Sequence, residues 1–182
     1  MSTPPKFRTH SLAEISDFAK KSRAMGNARP ILVPVDFSDH SAAALSHAAV
    51  LAEILPAALI VLHVIHDPGE MPGYYSRLIK QKHVPRIEDA AEEAFREFMS
   101  RVIESQPACE PLRQAGVFTV VGLPVRRILE IVKNVDPVMV VMGSQGRTGL
   151  KNLIVGSKAV QLVQLCPVPV TIVKKRASSS ED

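Results

Sequence analysis

The chain of 182 residues contains no tryptophan, two tyrosines, six phenylalanines and two cysteines. Surfaces that bind single-stranded nucleic acid stack bases on aromatic side chains, and the basic residues here are spread along the chain. We therefore expect no nucleic-acid binding, although the net charge is +4. Cys109 and Cys166 lie far apart, without a C-x-x-C or Cys/His cluster, which predicts two reduced cysteines and no metal site.

Long apolar segments are also missing from the sequence. No run approaches the roughly 20 residues that a membrane-spanning helix needs. The N-terminus lacks the continuous apolar region of a secretory signal, so we expect a cytoplasmic protein that does not enter a membrane. The length suits one domain.

Continuous apolar segments alternate with amphipathic ones along most of the chain. The predicted strands are Pro30–Asp36, Ala57–Ile65, Arg113–Val121, Val138–Met142 and Val168–Val173. The predicted helices are Asp39–Leu55, capped by Ser38, then Ile87–Ile103, Val125–Lys133 and Leu153–Leu165, with a Pro/Gly-rich connection at 66–85. Strands that are apolar throughout predict an α/β fold, an open five-stranded parallel sheet with helices on both faces.

The two ends of the chain differ from this pattern. Residues 1–28 form an N-terminal extension, in which Ser11 and Glu14 resemble a capping box. Helical spacing of Leu12, Ile15, Phe18 and Ala19 predicts a short amphipathic helix. It is either an arm packed over an exposed sheet edge or an arm that binds a partner. Residues 29–175 are the main domain, and the polar residues 176–182 are expected to be a disordered tail.

A glycine-containing loop follows the fourth predicted strand. Gly143 and Gly146 follow the strand, and Gly156 with Ser157 precedes the last helix. Glycine permits close backbone approach, and a helix N-terminus favours anions, so this combination predicts a phosphate site. A P-loop is excluded because Lys158 follows the serine instead of preceding it. A dinucleotide fingerprint is excluded because the turn after the first strand contains no glycine.

Read as G-x2-G-x9-G-S, this loop resembles the nucleotide-binding branch of the universal stress protein family. Four other segments resemble that family in the same order, namely Ile31–Ser38, Ile60–Val64, Val121–Pro124 and Cys166–Val170. The resemblance implies the strand order 3-2-1-4-5, a Rossmann-like fold similar to the adenine nucleotide alpha hydrolases. It also implies a homodimer through the fifth strand, Val168–Val173.

The resemblance also implies a set of residues that bind an adenine nucleotide, ATP or AMP, with Mg²⁺ accompanying ATP. Asp36, an acceptor at a strand end, suits ribose hydroxyls. Pro34, Val64 and Met142 match adenine-pocket positions. Arg147, Lys151 and Lys158 are cations that can pair with phosphates. The full set is Pro34, Val35, Asp36, Val64, Met142, Gly143, Ser144, Gly146, Arg147, Gly156, Ser157, Lys158 and Ala159. Lys158 and Ala159 depart from the small apolar residue and hydroxyl that many nucleotide-binding relatives carry.

The expected role is that of a stress-response regulatory or signalling module. Two alternatives remain, a slow ATPase or autophosphorylating enzyme and a nucleotide-free dimer that acts through protein contacts. Nothing in the sequence places His40 or His47 beside a nucleophile, and His63 in mid-strand is interpreted as structural. The turn after the first strand lacks a His-x-Gly-His pattern, which argues against adenylyl transfer.

Overall fold

The structure, a computed structural model, describes residues 9–65, 87–146 and 155–175. The elements in these ranges, in chain order, are α1 (Leu12–Ala24), β1 (Ala28–Val35), α2 (Asp39–Ile54), β2 (Ala57–Ile65), α3 (Ile87–Ser105), α4 (Glu110–Arg113), β3 (Gly116–Val121), α5 (Pro124–Val135), β4 (Met139–Gly143), α6 (Ser157–Leu165) and β5 (Val170–Val173). None of the helices described is both long and apolar enough to cross a membrane.

The five strands form one parallel sheet in the order β3-β2-β1-β4-β5, which confirms the expected fold class and order. At its centre β1 pairs with β4, with Ile31 opposite Met139 and Leu32 opposite Val140. The chain builds outward from β1 to β2 and β3, then returns to β4 and β5. The winding therefore reverses between β1 and β4, where ligands of open α/β sheets bind.

Alternate residues of each strand face two separate hydrophobic cores. Ile31, Val33 and Val35 of β1 face the core that contains α2 and α3, whereas Leu32 faces the core that contains α1, α5 and α6. The buried face of α2 is rich in alanine, at Ala44, Ala48, Ala49 and Ala52. Small side chains let this helix approach the sheet closely, next to the ends of β1 and β4.

The predicted boundaries are confirmed for β2 and differ by a few residues elsewhere. β3 begins at Gly116 because the short helix α4 takes up Glu110–Arg113. β5 begins at Val170 because Pro167 and Pro169 lack the N–H group that a strand ladder uses. The predicted connection at 66–85, the tail at 176–182 and residues 153–154 of the last predicted helix lie outside the described residues.

The predicted N-terminal helix is confirmed as α1. Ser11 Oγ accepts from Glu14 N at 3.3 Å and the Glu14 carboxylate accepts from Ser11 N at 2.8 Å, a reciprocal capping box. Ile15 is fully buried, and Leu12 and Phe18 pack against the same core. The helix is thus part of the folded domain.

Candidate functional site

The turn after β1 places Asp36 at the end of the central strand. Its Oδ1 accepts hydrogen bonds from Ser38 N at 3.2 Å and from Ser38 Oγ at 2.6 Å. Ser38 Oγ in turn accepts from Ser41 N at 3.2 Å, which confirms Ser38 as the cap of α2. Asp36 therefore braces the helix cap and does not cap the helix itself.

Phe37, between these two residues, has a left-handed backbone with φ of 67°. That region is costly for a bulky residue and persists where the surroundings hold it. The Phe37 ring stacks on the ring of His63 at 4.1 Å between centroids and also contacts the rings of Phe95 and Phe98. These contacts turn Phe37 into the core and fix the direction of the turn.

His63 itself is buried, and its Nδ1 lies 2.9 Å from the carbonyl oxygen of Val35. A carbonyl only accepts, so Nδ1 carries the proton and donates it. The position fits the structural interpretation of this histidine.

The loop after β4 packs against the first turn of α2. A Cβ added to Gly143 would lie 2.7 Å from the carbonyl carbon of His40, so only glycine fits there. The next residue, Ser144, is 2% exposed. Its N–H donates to Val173 O at 2.8 Å, and its carbonyl accepts from Gly156 N at 2.7 Å. Ser144 therefore joins the loop to both β5 and the start of α6.

Gly146 lies directly against Asp36. A Cβ added to Gly146 would stand 2.6 Å from Asp36 Oδ2, too close for any side chain unless the carboxylate moves. The turn after β1 and the loop after β4 thus meet at this carboxylate, as the strand order requires. Arg147 and Lys151, the next cations of the loop, lie outside the described residues.

The start of α6 offers backbone N–H groups beside this loop. Gly156 is the N-cap residue, and no side chain in the described part of the chain caps the helix there. A Cβ added to Gly156 would meet Ser144 O at 3.5 Å, an ordinary contact, so internal packing does not require glycine at this position. Ser157 is exposed and Ala159 is buried. An N-terminus of this kind favours an anion.

Lys158 is exposed, yet its pKa is lowered because partial burial of the ammonium outweighs the opposing effect of the nearby Asp36 charge. The Lys158 ammonium on α6 and the Asp36 carboxylate after β1 therefore attract each other across the end of the sheet. Neither group is isolated, since both make further interactions.

The apolar residues of the predicted site divide between the two sheet faces. Pro34, Val64 and Met142 fall on the face of α1, α5 and α6, by alternation from residues of that core. Val64 is buried, whereas Pro34 and Met142 are half-buried. The Val35 side chain faces the opposite core, so only its backbone adjoins the other three.

The sequence placed no nucleophile beside His40, whereas the structure brings a serine hydroxyl next to it. Ser144 Oγ lies 3.3 Å from His40 Nδ1, and Lys175 N donates to the same nitrogen at 3.3 Å. No sequence signal indicated this pair, since it depends on the contact of Gly143 with α2. Ser144 is buried, so the pair connects elements of the fold and does not present a nucleophile to solvent.

Among the described residues, no three His, Cys, Asp or Glu side chains are grouped to hold a metal.

The fold defines an open α/β protein in which these two loops meet at the point where the winding reverses. The model of the universal stress protein family matches residues 27–174, and the chain belongs to this family. It is 32% identical to universal stress protein YxiE of Bacillus subtilis over 148 residues, 79% of this chain and 97% of YxiE. It is 28% identical to universal stress protein MJ0577 of Methanocaldococcus jannaschii over 161 residues, 82% of this chain and 97% of MJ0577.

Solved structures share the architecture. Universal stress protein UspA from Lactobacillus plantarum superposes with a TM-score of 0.61 at 25% identity, covering 81% of this chain and 99% of that one. Two more distant structures share the fold alone at 21% identity. One is a universal stress protein in complex with cAMP, with a TM-score of 0.54 over 80% of this chain and 95% of that one. The other, from Archaeoglobus fulgidus in complex with dAMP, has a TM-score of 0.51 over 81% of this chain and 98% of that one.

Proposed function

We propose that this protein binds an adenine nucleotide, ATP or AMP, between the ends of β1 and β4 and acts as a regulatory module of the stress response. The observation that carries the proposal is the contact between Gly146 and Asp36. It brings an acceptor suited to ribose and a glycine-lined loop to one place, at the reversal of the winding.

Each part of a nucleotide has a chemical counterpart there. The Asp36 carboxylate accepts hydrogen bonds from the ribose hydroxyls. The N–H group and the hydroxyl of Ser157 donate to phosphate oxygens, and the missing Cβ of Gly156 leaves room for the ribose–phosphate link. The half-buried Pro34 and Met142, with Val64, provide apolar contact for adenine.

Basic side chains provide the positive charge that the phosphates of the nucleotide require. Lys158 exchanges its interaction with Asp36 for one with a phosphate when a nucleotide enters. Arg147 and Lys151 pair with a longer phosphate chain, and Mg²⁺ accompanies ATP. The two structures that share this fold and hold cAMP or dAMP support an adenine nucleotide as the ligand class.

We propose that nucleotide binding regulates a homodimer that forms through β5. All four β5 residues are partly exposed, and exposed Val160, Val163 and Leu165 lie on the preceding helix α6. Ser144 links the nucleotide loop to the end of β5 through its bond to Val173 O, so a ligand acts on the same strand.

Light scattering tests this dimer. The carbonyls of Pro169, just before β5, and of Val173 accept from Val140 N and Ser144 N, so by alternation the backbone of Ile172 points outward. We expect Ile172→Pro, which removes an outward N–H, to give a monomer, whereas the control Ile172→Thr remains a dimer. A wild-type monomer at micromolar concentration contradicts the proposed assembly.

Thermal unfolding with added nucleotide tests the binding proposal. A ligand at a hundred times its dissociation constant stabilises a protein by about 2.7 kcal/mol. We expect this shift with ATP, ADP or AMP, and we expect Gly146→Val to abolish it by displacing Asp36. Asp36→Asn should weaken binding too, whereas Asp17→Asn on the exposed side of α1 serves as the matched control.

Absence of a shift with any adenine nucleotide at millimolar concentration contradicts the proposal. Incubation with labelled ATP separates the enzyme alternative. Product or labelled protein above the level of Gly146→Val supports turnover, and its absence alongside a clear thermal shift supports binding alone.

A further inference from the structure

The sheet has a second edge, formed by β3. Along a parallel strand, alternate residues direct both backbone groups toward the same neighbour. Gly122 N donates to Ile65 O at 2.9 Å, toward β2. By alternation, the backbone groups of Val117, Thr119 and Val121 point away from the sheet. Unpaired groups of this kind are a template for pairing with another chain.

Residues of the same chain occupy this edge. His10 N donates to Thr119 O at 2.7 Å, and Thr119 N donates to His10 Nδ1 at 3.1 Å. The side chain and backbone of one residue thus replace a neighbouring strand at Thr119. Farther along, Arg127 Nε donates to Val121 O at 2.8 Å. The His10 ring also meets the Phe118 ring edge-on, at 5.2 Å between centroids.

Helix α1 holds this contact in place from the other side. The capping box begins at Ser11, directly after His10, so the helix start fixes where His10 lies. Phe18 contacts the Phe118 ring at 5.5 Å, and the fully buried Ile15 anchors the helix to the sheet. At the far end Arg23 donates to Val135 O at 2.8 Å, at the end of α5. The segment is fastened at both ends.

Among the described residues, none covers the opposite edge, β5, in this way. The carbonyls of Pro169 and Val173 accept from Val140 N and Ser144 N, on the β4 side, so the backbone of Val170 and Ile172 points outward. Within residues 9–65, 87–146 and 155–175, no other segment forms a backbone hydrogen bond with these two residues at the outer edge. The family match begins at residue 27, so the cover of β3 comes from residues that precede it.

We propose that residues 9–24 are an intramolecular edge cap, which closes β3 to pairing with a second copy of the chain and confines sheet-edge association to β5. The contacts at Thr119 carry this inference, and it does not depend on nucleotide binding. The N-terminal extension then determines the geometry of self-association, and its own role is to exclude a partner from β3.

Proline at position 10 tests the cap, because it removes both the N–H donor and the imidazole acceptor. Thr9→Pro is the matched control, since Thr9 is exposed and forms no backbone hydrogen bond described in this structure. We expect the Thr119 amide to exchange with solvent about tenfold faster in His10→Pro and at the wild-type rate in Thr9→Pro. We also expect light scattering to show assemblies larger than the wild type in His10→Pro, growing with concentration.

Unchanged exchange at Thr119 overturns the cap, and faster exchange with wild-type assembly size overturns its role in association. Should His10→Pro not fold, His10→Ala removes the imidazole alone and must give the same two changes in weaker form. Combining His10→Pro with Ile172→Pro separates the edges. Assembly that persists in the double variant supports pairing through β3, and a monomer overturns it.

Discussion

The end of the sheet at β1 and β4 differs from the side formed by α1, β3 and α5 in backbone strain and in hydrogen bonding. At the first, Phe37 has a left-handed backbone and Gly146 leaves no space beside Asp36. At the second, Arg23 and the residues at the β3 edge give backbone groups partners from within the chain. Strain and tight approach occur at the end of the sheet where we propose the nucleotide site, whereas the β3 side serves stability.

The two helix starts show the same difference on a smaller scale. Helix α1 begins with the reciprocal box of Ser11 and Glu14, so the N–H groups of these two residues are satisfied by side chains. Helix α6 begins at Ser157, and its N-cap residue Gly156 has no side chain with which to cap it. The first start needs no ligand, while the second retains its preference for an anion.

Removing the anchor of α1 should have the largest effect on stability. Ile15 is fully buried, so Ile15→Ala should lower the free energy of unfolding by about 2–5 kcal/mol in urea denaturation. Nucleotide affinity should stay unchanged in the folded variant, because Ile15 belongs neither to the turn after β1 nor to the loop after β4. A loss below about 1 kcal/mol would show that α1 packs less firmly than the structure indicates.

Removing the cap of α1 or adding a cap to α6 should change stability less than Ile15→Ala does. Only the change at α6 should alter nucleotide affinity. Ser11→Ala should cost about 1 kcal/mol and leave nucleotide affinity unaltered. Gly156→Ser adds a capping side chain in an ordinary contact, so we expect unchanged or slightly higher stability and weaker nucleotide binding. Urea denaturation and calorimetric titration of both variants check this. Wild-type affinity in Gly156→Ser would contradict the role given to the missing Cβ.

The smallest expected effect concerns the ion pair that joins the chain after β5 to the first turn of α2. The hydrogen bond from Lys175 Nζ to Asp39, 2.7 Å long, and its positive charge lower the pKa of Asp39 from its ordinary value of 3.8. A depressed carboxylate pKa stabilises the fold above that value, and the contribution is lost as pH falls through the folded-state pKa.

Lys175→Met should therefore lower stability by about 0.2–1 kcal/mol near pH 7, since both side chains are largely exposed. The difference from the wild type should vanish well below pH 3.8, where Asp39 is protonated in both proteins. Lys174→Met, at the exposed neighbouring position, is the control. A difference that is the same at every pH would assign the effect of Lys175 to something other than this carboxylate.

The elements could be predicted from sequence because their signals are local. Apolar runs indicated the strands, and Ser11 with Glu14 indicated the start of α1. Alternation along β1 also contained the information that Val35 faces away from Pro34, although the family resemblance grouped the two. Helix α4 was missed because four residues show no helical period.

The contacts of the site could not be derived in this way. Gly146 meets Asp36 and His40 meets Ser144 only after residues more than a hundred positions apart are joined by the pairing of β1 with β4. The predicted strand order placed these residues near one another, because it makes β1 and β4 neighbours. Which side chains touch within it depends on tertiary packing.

A crystal structure of the protein grown with AMP or ATP tests the central claim most directly. We expect the nucleotide between β1 and β4, with its ribose hydroxyls on the Asp36 carboxylate and its phosphate at the N–H group and hydroxyl of Ser157. Adenine should lie on the sheet face of Pro34, Val64 and Met142. A nucleotide bound elsewhere, or an empty crevice at millimolar nucleotide, would contradict the account.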